Sequence, residues 1–189
     1  TRPAAERRTE MRKVLIIMGS PRRHGNTAKF AAEFARGARD GGAEVTAVTL
    51  AEKRIGDCLG CCACQSGGRC VQKDDMQKIY EALRENDVIV LASPVYFYTW
   101  TSLMKRMLDR TFAVEPFLRN KSFYLLATGA APEEAYMKTM LDSFQQYVSC
   151  FCAGGNRAGG WLFACGTREP EDIVGLPVME KAYRLGKSV

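Results

Sequence analysis

Two periods of apolar residues alternate along this chain. Val14 to Met18 is an unbroken apolar run ending at Gly19, the pattern of a strand buried on both faces of a parallel sheet. From Asn26 to Arg39 the period becomes helical: Phe30, Ala31, Phe34, Ala35 and Ala38 share one face until Gly41 and Gly42 end the segment. Val45 to Leu50 reads as a second strand. The stretch from Ala51 to Gln72 is rich in cysteine and glycine and keeps no period, which marks a long functional loop. Asp74 or Asp75 then caps a helix whose apolar face carries Met76, Ile79, Tyr80 and Leu83, and Val88 to Ala92 follows as a third buried strand.

Beyond the loop from Ser93 to Tyr98, Leu103, Met104, Met107 and Leu108 predict another helix, and Ser122 to Ala127 a fourth strand. Pro132 suits the first turn of the next helix, which carries Met137, Met140, Leu141, Phe144 and Val148. Trp161 to Ala164 supplies a fifth strand, and a short terminal helix spans Met179 to Leu185. Strand and helix alternating five times predict an α/β fold, with a parallel sheet covered by helices on both faces, because parallel neighbours need crossover connections. No repeat or linker interrupts the pattern, so residues 11–189 read as one domain with a cysteine-rich loop at 51–72.

Composition narrows the function classes. With 189 residues, 47% of them hydrophobic, the chain can build one sizeable core. It is 25% charged and holds no apolar run near the ~20 residues a bilayer span requires, so it reads as soluble, without a membrane partner or a secretory signal. The first ten residues hold three arginines and two glutamates without an apolar run, and are expected to form a disordered extension. The net charge of +6 is scattered, with no basic stripe interleaved with aromatics, which argues against nucleic acid. Eight cysteines without a secretory signal point to the reducing cytoplasm.

The loop from Gly19 to Thr27 joins the first strand to the first helix, where free backbone amides and the helix dipole favour an anion. Ser20 and Thr27 add hydroxyls, Asn26 an amide and Arg22 a charge. Five residues separate Gly19 from Gly25 and Asn26 stands where a nucleotide-triphosphate loop needs lysine; the three spaced glycines of a dinucleotide site are missing as well. What remains suits a single phosphate monoester, such as that of flavin mononucleotide (FMN), at the crevice of a doubly wound sheet. Arg23 and His24 read as solvated loop residues.

Three segments carry a resemblance. The loop from Met18 to Thr27, the segment Ser93-Pro94-Val95-Tyr96-Phe97, and the run from Leu103 to Arg110 resemble the NAD(P)H-dependent FMN reductase and iron-sulfur flavoprotein branch of the flavodoxin-like superfamily. The likeness covers nearly the whole chain after Lys13. It implies a five-stranded sheet in the order 2-1-3-4-5, with the FMN phosphate on Ser20, Arg22, Gly25, Asn26 and Thr27. It further implies Pro94, Val95, Tyr96 and Phe97 along the isoalloxazine, and Thr128, Gly129 and Ala130 near its pyrimidine side. NAD(P)H would be the co-substrate, a small acceptor such as a quinone or a ferredoxin-like protein the electron partner, and a homodimer or homotetramer the assembly. Tyr98, Trp100 and Phe112 beside the flavin loop suggest contact surface for that assembly. The cofactor carries the redox chemistry, so no catalytic side chain is nominated.

Cys58, Cys61, Cys64 and Cys70 follow C-x2-C-x2-C-x5-C, close to the ferredoxin run whose thiolates wrap a cubane. The same spacing resembles the motif that ligates [4Fe-4S] in iron-sulfur flavoproteins. A zinc site or a set of free thiols stands beside that reading. Cys62 is an extra thiol within the run, and Cys150, Cys152 and Cys165 are expected as buried packing residues.

Overall fold

The computed structural model describes residues 11–189; the N-terminal extension expected at 1–10 lies outside them. Five strands, β1 (Lys13–Met18), β2 (Glu44–Thr49), β3 (Val88–Pro94), β4 (Ser122–Thr128) and β5 (Arg157–Ala164), alternate with five helices. The helices are α1 (Asn26–Asp40), α2 (Met76–Glu85), α3 (Ser102–Arg110), α4 (Lys138–Ser149) and α5 (Pro177–Lys187). All strand pairs are parallel and the sheet order is β2-β1-β3-β4-β5, the flavodoxin-like arrangement.

Side chains of each strand divide between two cores, as the pleat requires. Leu15, Ile17, Ile89, Leu91, Phe123 and Leu125 pack against α2, α3 and α4 on one face. Val14, Ile16, Val88, Val90 and Leu126 meet Phe30, Phe34 and Ala182 on the other. There α1 and α5 lie backbone to backbone. A Cβ on Gly37 would stand 2.0 Å from the Tyr183 carbonyl oxygen, and one on Gly186 2.1 Å from that of Phe34, so both positions need glycine for this approach.

Three local expectations change. Strand β5 begins at Arg157, four residues early, because Gly159 lies under the Tyr124 ring and lets a segment without apolar alternation join the sheet. Pro132 stands outside the helix: Glu133 is extended, a single 3-10 turn spans Glu134–Met137, and α4 starts at Lys138. Cys150 and Cys152 are exposed and Cys165 half-buried, since the first two follow the last turn of α4 into a short turn on the surface rather than facing the core.

Candidate functional site

The loop after β1 sits where the order of strands reverses, at the carboxyl ends of β1, β3 and β4. Several bonds fix it before any ligand arrives. The Gly19 amide donates to Ala92 O at 2.8 Å, and Thr101 Oγ1, while capping α3 through Met104 N, donates to Gly19 O at 2.7 Å. Ser20 Oγ accepts from Arg22 N at 3.1 Å. Gly25, the residue before α1, is extended; no side chain caps this helix and no acidic residue stands in its first turn. An anion there would meet amides and a favourable dipole without competition.

A cavity of about 280 Å³ opens on this loop, lined by Ser20, Arg22, Gly25, Asn26 and Thr27, by Pro94, Val95 and Tyr96, and by Thr128, Gly129 and Ala130. Eleven of the twelve crevice residues expected from the sequence therefore come together around one space. Thr27 Oγ1 and Thr128 Oγ1 share a buried hydrogen bond of 2.8 Å that joins the helix start to the end of β4. Gly129 is closely walled: a Cβ there would lie 2.8 Å from Met137 Cε and 3.5 Å from Val95 Cβ.

The twelfth residue, Phe97, stands apart. Tyr96 and Thr99 bridge a tight turn that holds Phe97 and Tyr98 at φ of 46° and 68°, and Phe97 is 98% exposed. It lines an adjoining cleft with Tyr98, Tyr136 and Met137, which shares Val95, Gly129 and Ala130 with the first cavity. The two spaces form one crevice, polar at the α1 end and aromatic at the other. Trp100 belongs to neither, nor to an exposed contact surface: it is buried and its indole donates to Ser143 Oγ at 2.8 Å.

A segment that carries no motif closes the polar end. Thr167 and Arg168, between β5 and α5, line the cavity. Arg22 donates to the Arg168 carbonyl at 3.0 Å, and Asn26 donates to Glu169 O at 2.6 Å while accepting from Ile173 N at 3.3 Å. Asn26 thus clamps the far segment against α1 with both ends of its amide. Arg23 pairs with Glu52 and Lys29 with Glu171, whereas Arg22 and Arg168 have no carboxylate partner among the described residues.

The cysteine loop lies on the other side of the sheet, against α2 and α3. Cys58, Cys61, Cys62, Cys64 and Cys70 all line a second cavity of about 100 Å³ with Phe112, Ala113 and Arg110. The five cysteines border this space, yet among the described residues no three Cys, His, Asp or Glu side chains gather as a site for one metal ion. Cys62 adopts φ of 55°, Cys64 sits in a 3-10 turn (Ala63–Ser66), and burial raises the Cys64 thiol above its ordinary range. The loop is fastened at its ends: Gly56 N donates to Asp74 Oδ2 at 2.8 Å, Gln72 Nε2 to Asp57 O at 2.8 Å, and Arg84 to Gly68 O at 3.3 Å.

Beneath the loop is a buried ion pair. Arg110 Nη1 lies 2.9 Å from Asp74 Oδ2 and 2.8 Å from Gly56 O, with Nη2 3.2 Å from Asp74 Oδ1. Burial alone would raise the Asp74 carboxyl, yet bonds from Arg110, Gly56 N and Met76 N hold it below its usual value. Tyr80 donates to the Arg110 carbonyl, and burial pushes its phenol up to about 12.

Residues 12–149 match the family model of NADPH-dependent FMN reductase. An iron-sulfur flavoprotein of Methanocaldococcus jannaschii is 32% identical over 183 residues, covering 94% of this chain and 95% of that protein. One from Archaeoglobus fulgidus is 36% identical over 139 residues, covering 70% of this chain and 63% of its own length. Among solved structures, an NAD(P)H:quinone oxidoreductase from Methanothermobacter marburgensis shares the fold at a TM-score of 0.69 and 13% identity, covering 94% and 96% of the two chains.

Proposed function

Because this chain belongs to the NADPH-dependent FMN reductase family, we propose that it is an oxidoreductase that binds FMN in the crevice at the ends of β1, β3 and β4 and moves electrons through it. The observation that carries this reading is the crevice itself. Its polar end offers an uncapped helix, Ser20, Thr27 and two arginines without carboxylate partners among the described residues, and its other end is lined by Val95, Phe97, Tyr98, Tyr136 and Met137. One phosphate monoester and one planar ring match those two ends.

In this reading Ser20, Arg22, Thr27 and the first amides of α1 hold the phosphate, and Arg168 adds a second cation. Asn26 orients rather than binds, since both ends of its amide are engaged by the 169–173 segment. Pro94, Val95 and Tyr96 lie along one face of the ring, Gly129 and Ala130 along its edge, and Phe97 and Tyr98 shield its outer rim. When bound, FMN supplies an acceptor of hydride or of single electrons. NAD(P)H is the donor and a small molecule such as a quinone or flavin the acceptor. Phe97, Tyr98 and Tyr136 leave exposed aromatic surface at the mouth, which supports a homodimer or homotetramer to be checked by sedimentation.

A second reading is favoured by the cysteine cavity. Four cysteines spaced as C-x2-C-x2-C-x5-C border one cavity, and a [4Fe-4S] centre takes its ligands at separate corners rather than at one point. The relatives named iron-sulfur flavoproteins support it. Cys58, Cys61, Cys64 and Cys70 would ligate the cluster, which supplies one-electron steps, and the partner would be a ferredoxin-like protein. No described helix is long and apolar enough to cross a membrane. The free cysteines fit a reducing, cytoplasmic setting.

Anaerobic purification and reconstitution, followed by flavin, iron and sulfide analysis and by reduction with NADH, NADPH or reduced ferredoxin, tests both readings. FMN with matching iron and sulfide and rapid reduction by ferredoxin supports the two-centre carrier. FMN without iron leaves the NAD(P)H-dependent reductase, and failure to bind FMN overturns the proposal.

A further inference from the structure

Arg110 is 2% exposed and lines the cysteine cavity, and its donors are unevenly used. Nη1 and Nη2 serve Asp74 and the Gly56 carbonyl, whereas Nε is the one buried side-chain polar atom without a hydrogen-bond partner among the described residues. A buried donor left unpaired costs free energy, so a native structure that keeps one has a use for it. The cavity that Arg110 lines together with five cysteines is a space in which a partner for Nε can sit.

The pair is also oriented. Asp74, which does not line that cavity, is held by the amides of Gly56 and Met76, while Arg110 is among the residues that line it. Of the pair, only the cationic residue borders the cavity. Asp109, the carboxylate on the same wall, is tied to Lys105 at 2.5 Å, and Arg106 to Asp57 at 2.7 Å.

We propose that Arg110 is the tuning residue of the iron-sulfur centre: its Nε–H donates to a sulfur of the cluster, and its charge favours the reduced form. This rests on the reading that Cys58, Cys61, Cys64 and Cys70 hold a [4Fe-4S] cluster. Reduction adds one electron, from the flavin or from dithionite, to a centre that is already anionic. A cation and an N–H donor in a water-poor setting stabilise the added charge and raise the potential.

The test is an anaerobic redox titration of the holoprotein, reading the cluster by electron paramagnetic resonance and FMN by absorbance. Removing the whole pair, Arg110→Met with Asp74→Asn, leaves no unpaired buried charge and should make the cluster about tenfold harder to reduce, roughly 59 mV for a one-electron couple. Asp74→Asn alone leaves the guanidinium uncompensated and should shift the potential upward. Opposite shifts, with the FMN potential unmoved in its separate crevice, support the assignment; no shift, or shifts in one direction, overturns it. Should the double variant lose its cluster, native protein carrying 15Nε-arginine decides. A nitrogen hyperfine coupling in the reduced cluster supports the bond, and its absence refutes it. Native protein without iron and sulfide after reconstitution sinks the cluster reading itself, and the assay of metal shows that apart from any potential.

Discussion

The crevice and the cysteine loop are built in opposite ways. At the crevice, backbone and side chains from β1, β3, β4 and the 167–173 segment bond one another across up to 147 residues of sequence. The loop from Asp57 to Val71 has one 3-10 turn, a cysteine at positive φ, and bonds concentrated at its two ends. The first region is organised by the fold and merely receives its ligand. The second has its frame set by the fold, and on the cluster reading its middle would be completed by the metal centre, so that ligand binding would enter its folding balance directly.

Breaking the metal side should give the largest effect. Cys61→Ser should abolish stoichiometric iron in anaerobically reconstituted protein while FMN stays bound, whereas Cys62→Ser should retain most iron. Loss of flavin along with iron in Cys61→Ser would show that the two regions are not independent.

The frame beneath the loop comes next. Asp74→Ala leaves Arg110 buried without its counter-ion and should lower unfolding free energy by about 3 kcal/mol in urea titrations. A loss near zero would mean that the loop carries no part of global stability.

At the crevice, Arg22→Ala and Asn26→Ala should each weaken FMN by about 1 to 2 kcal/mol, roughly five- to thirtyfold in dissociation constant by fluorescence titration. The two differ in kind. Arg22→Ala should lose its effect on riboflavin, which lacks the phosphate, while Asn26→Ala should also loosen amide exchange at 169–173.

The smallest effect concerns acid. The Asp74 carboxyl titrates below its ordinary 3.8 in the folded protein, so its contribution to stability is full above that value and is lost as pH falls through the lower folded one. Urea midpoints should decline below about pH 4, and Asp74→Asn should flatten that decline. An unchanged slope would assign the acid sensitivity to other carboxylates.

The same contrast explains what the sequence disclosed. Strands and helices were legible because Val14–Met18 and Val88–Ala92 are buried on both faces and so carry unbroken apolar runs. The start of β5 was not, since Arg157 to Gly160 joins the sheet through glycines against Tyr124. Residues next to strand ends showed themselves in the crevice through Gly, Ser and Thr at the β1 loop. Thr167 and Arg168 gave no signal because loop segments earn their place by tertiary contact alone. Asn26 was visible as a polar residue at a helix start, but its partners, Glu169 O and Ile173 N, are backbone atoms that no side-chain pattern reports. Arg110 stood in the sequence only as the end of the Leu103–Arg110 run, and its burial became apparent only with Asp74 beside it.

The clamp between Asn26 and the 169–173 segment also sets an order of events during synthesis. The α1 end of the crevice is made early, yet its opposite wall lies 143 residues later, so a growing chain can pair β1 with β2 and β3 long before it can enclose a phosphate. On the proposed reading, flavin capture would be a late step, following the docking of α5 on α1. A ribosome stalled after β4 would hold a partly formed sheet with a half-open site, lacking the wall that Asn26 fastens in the finished protein.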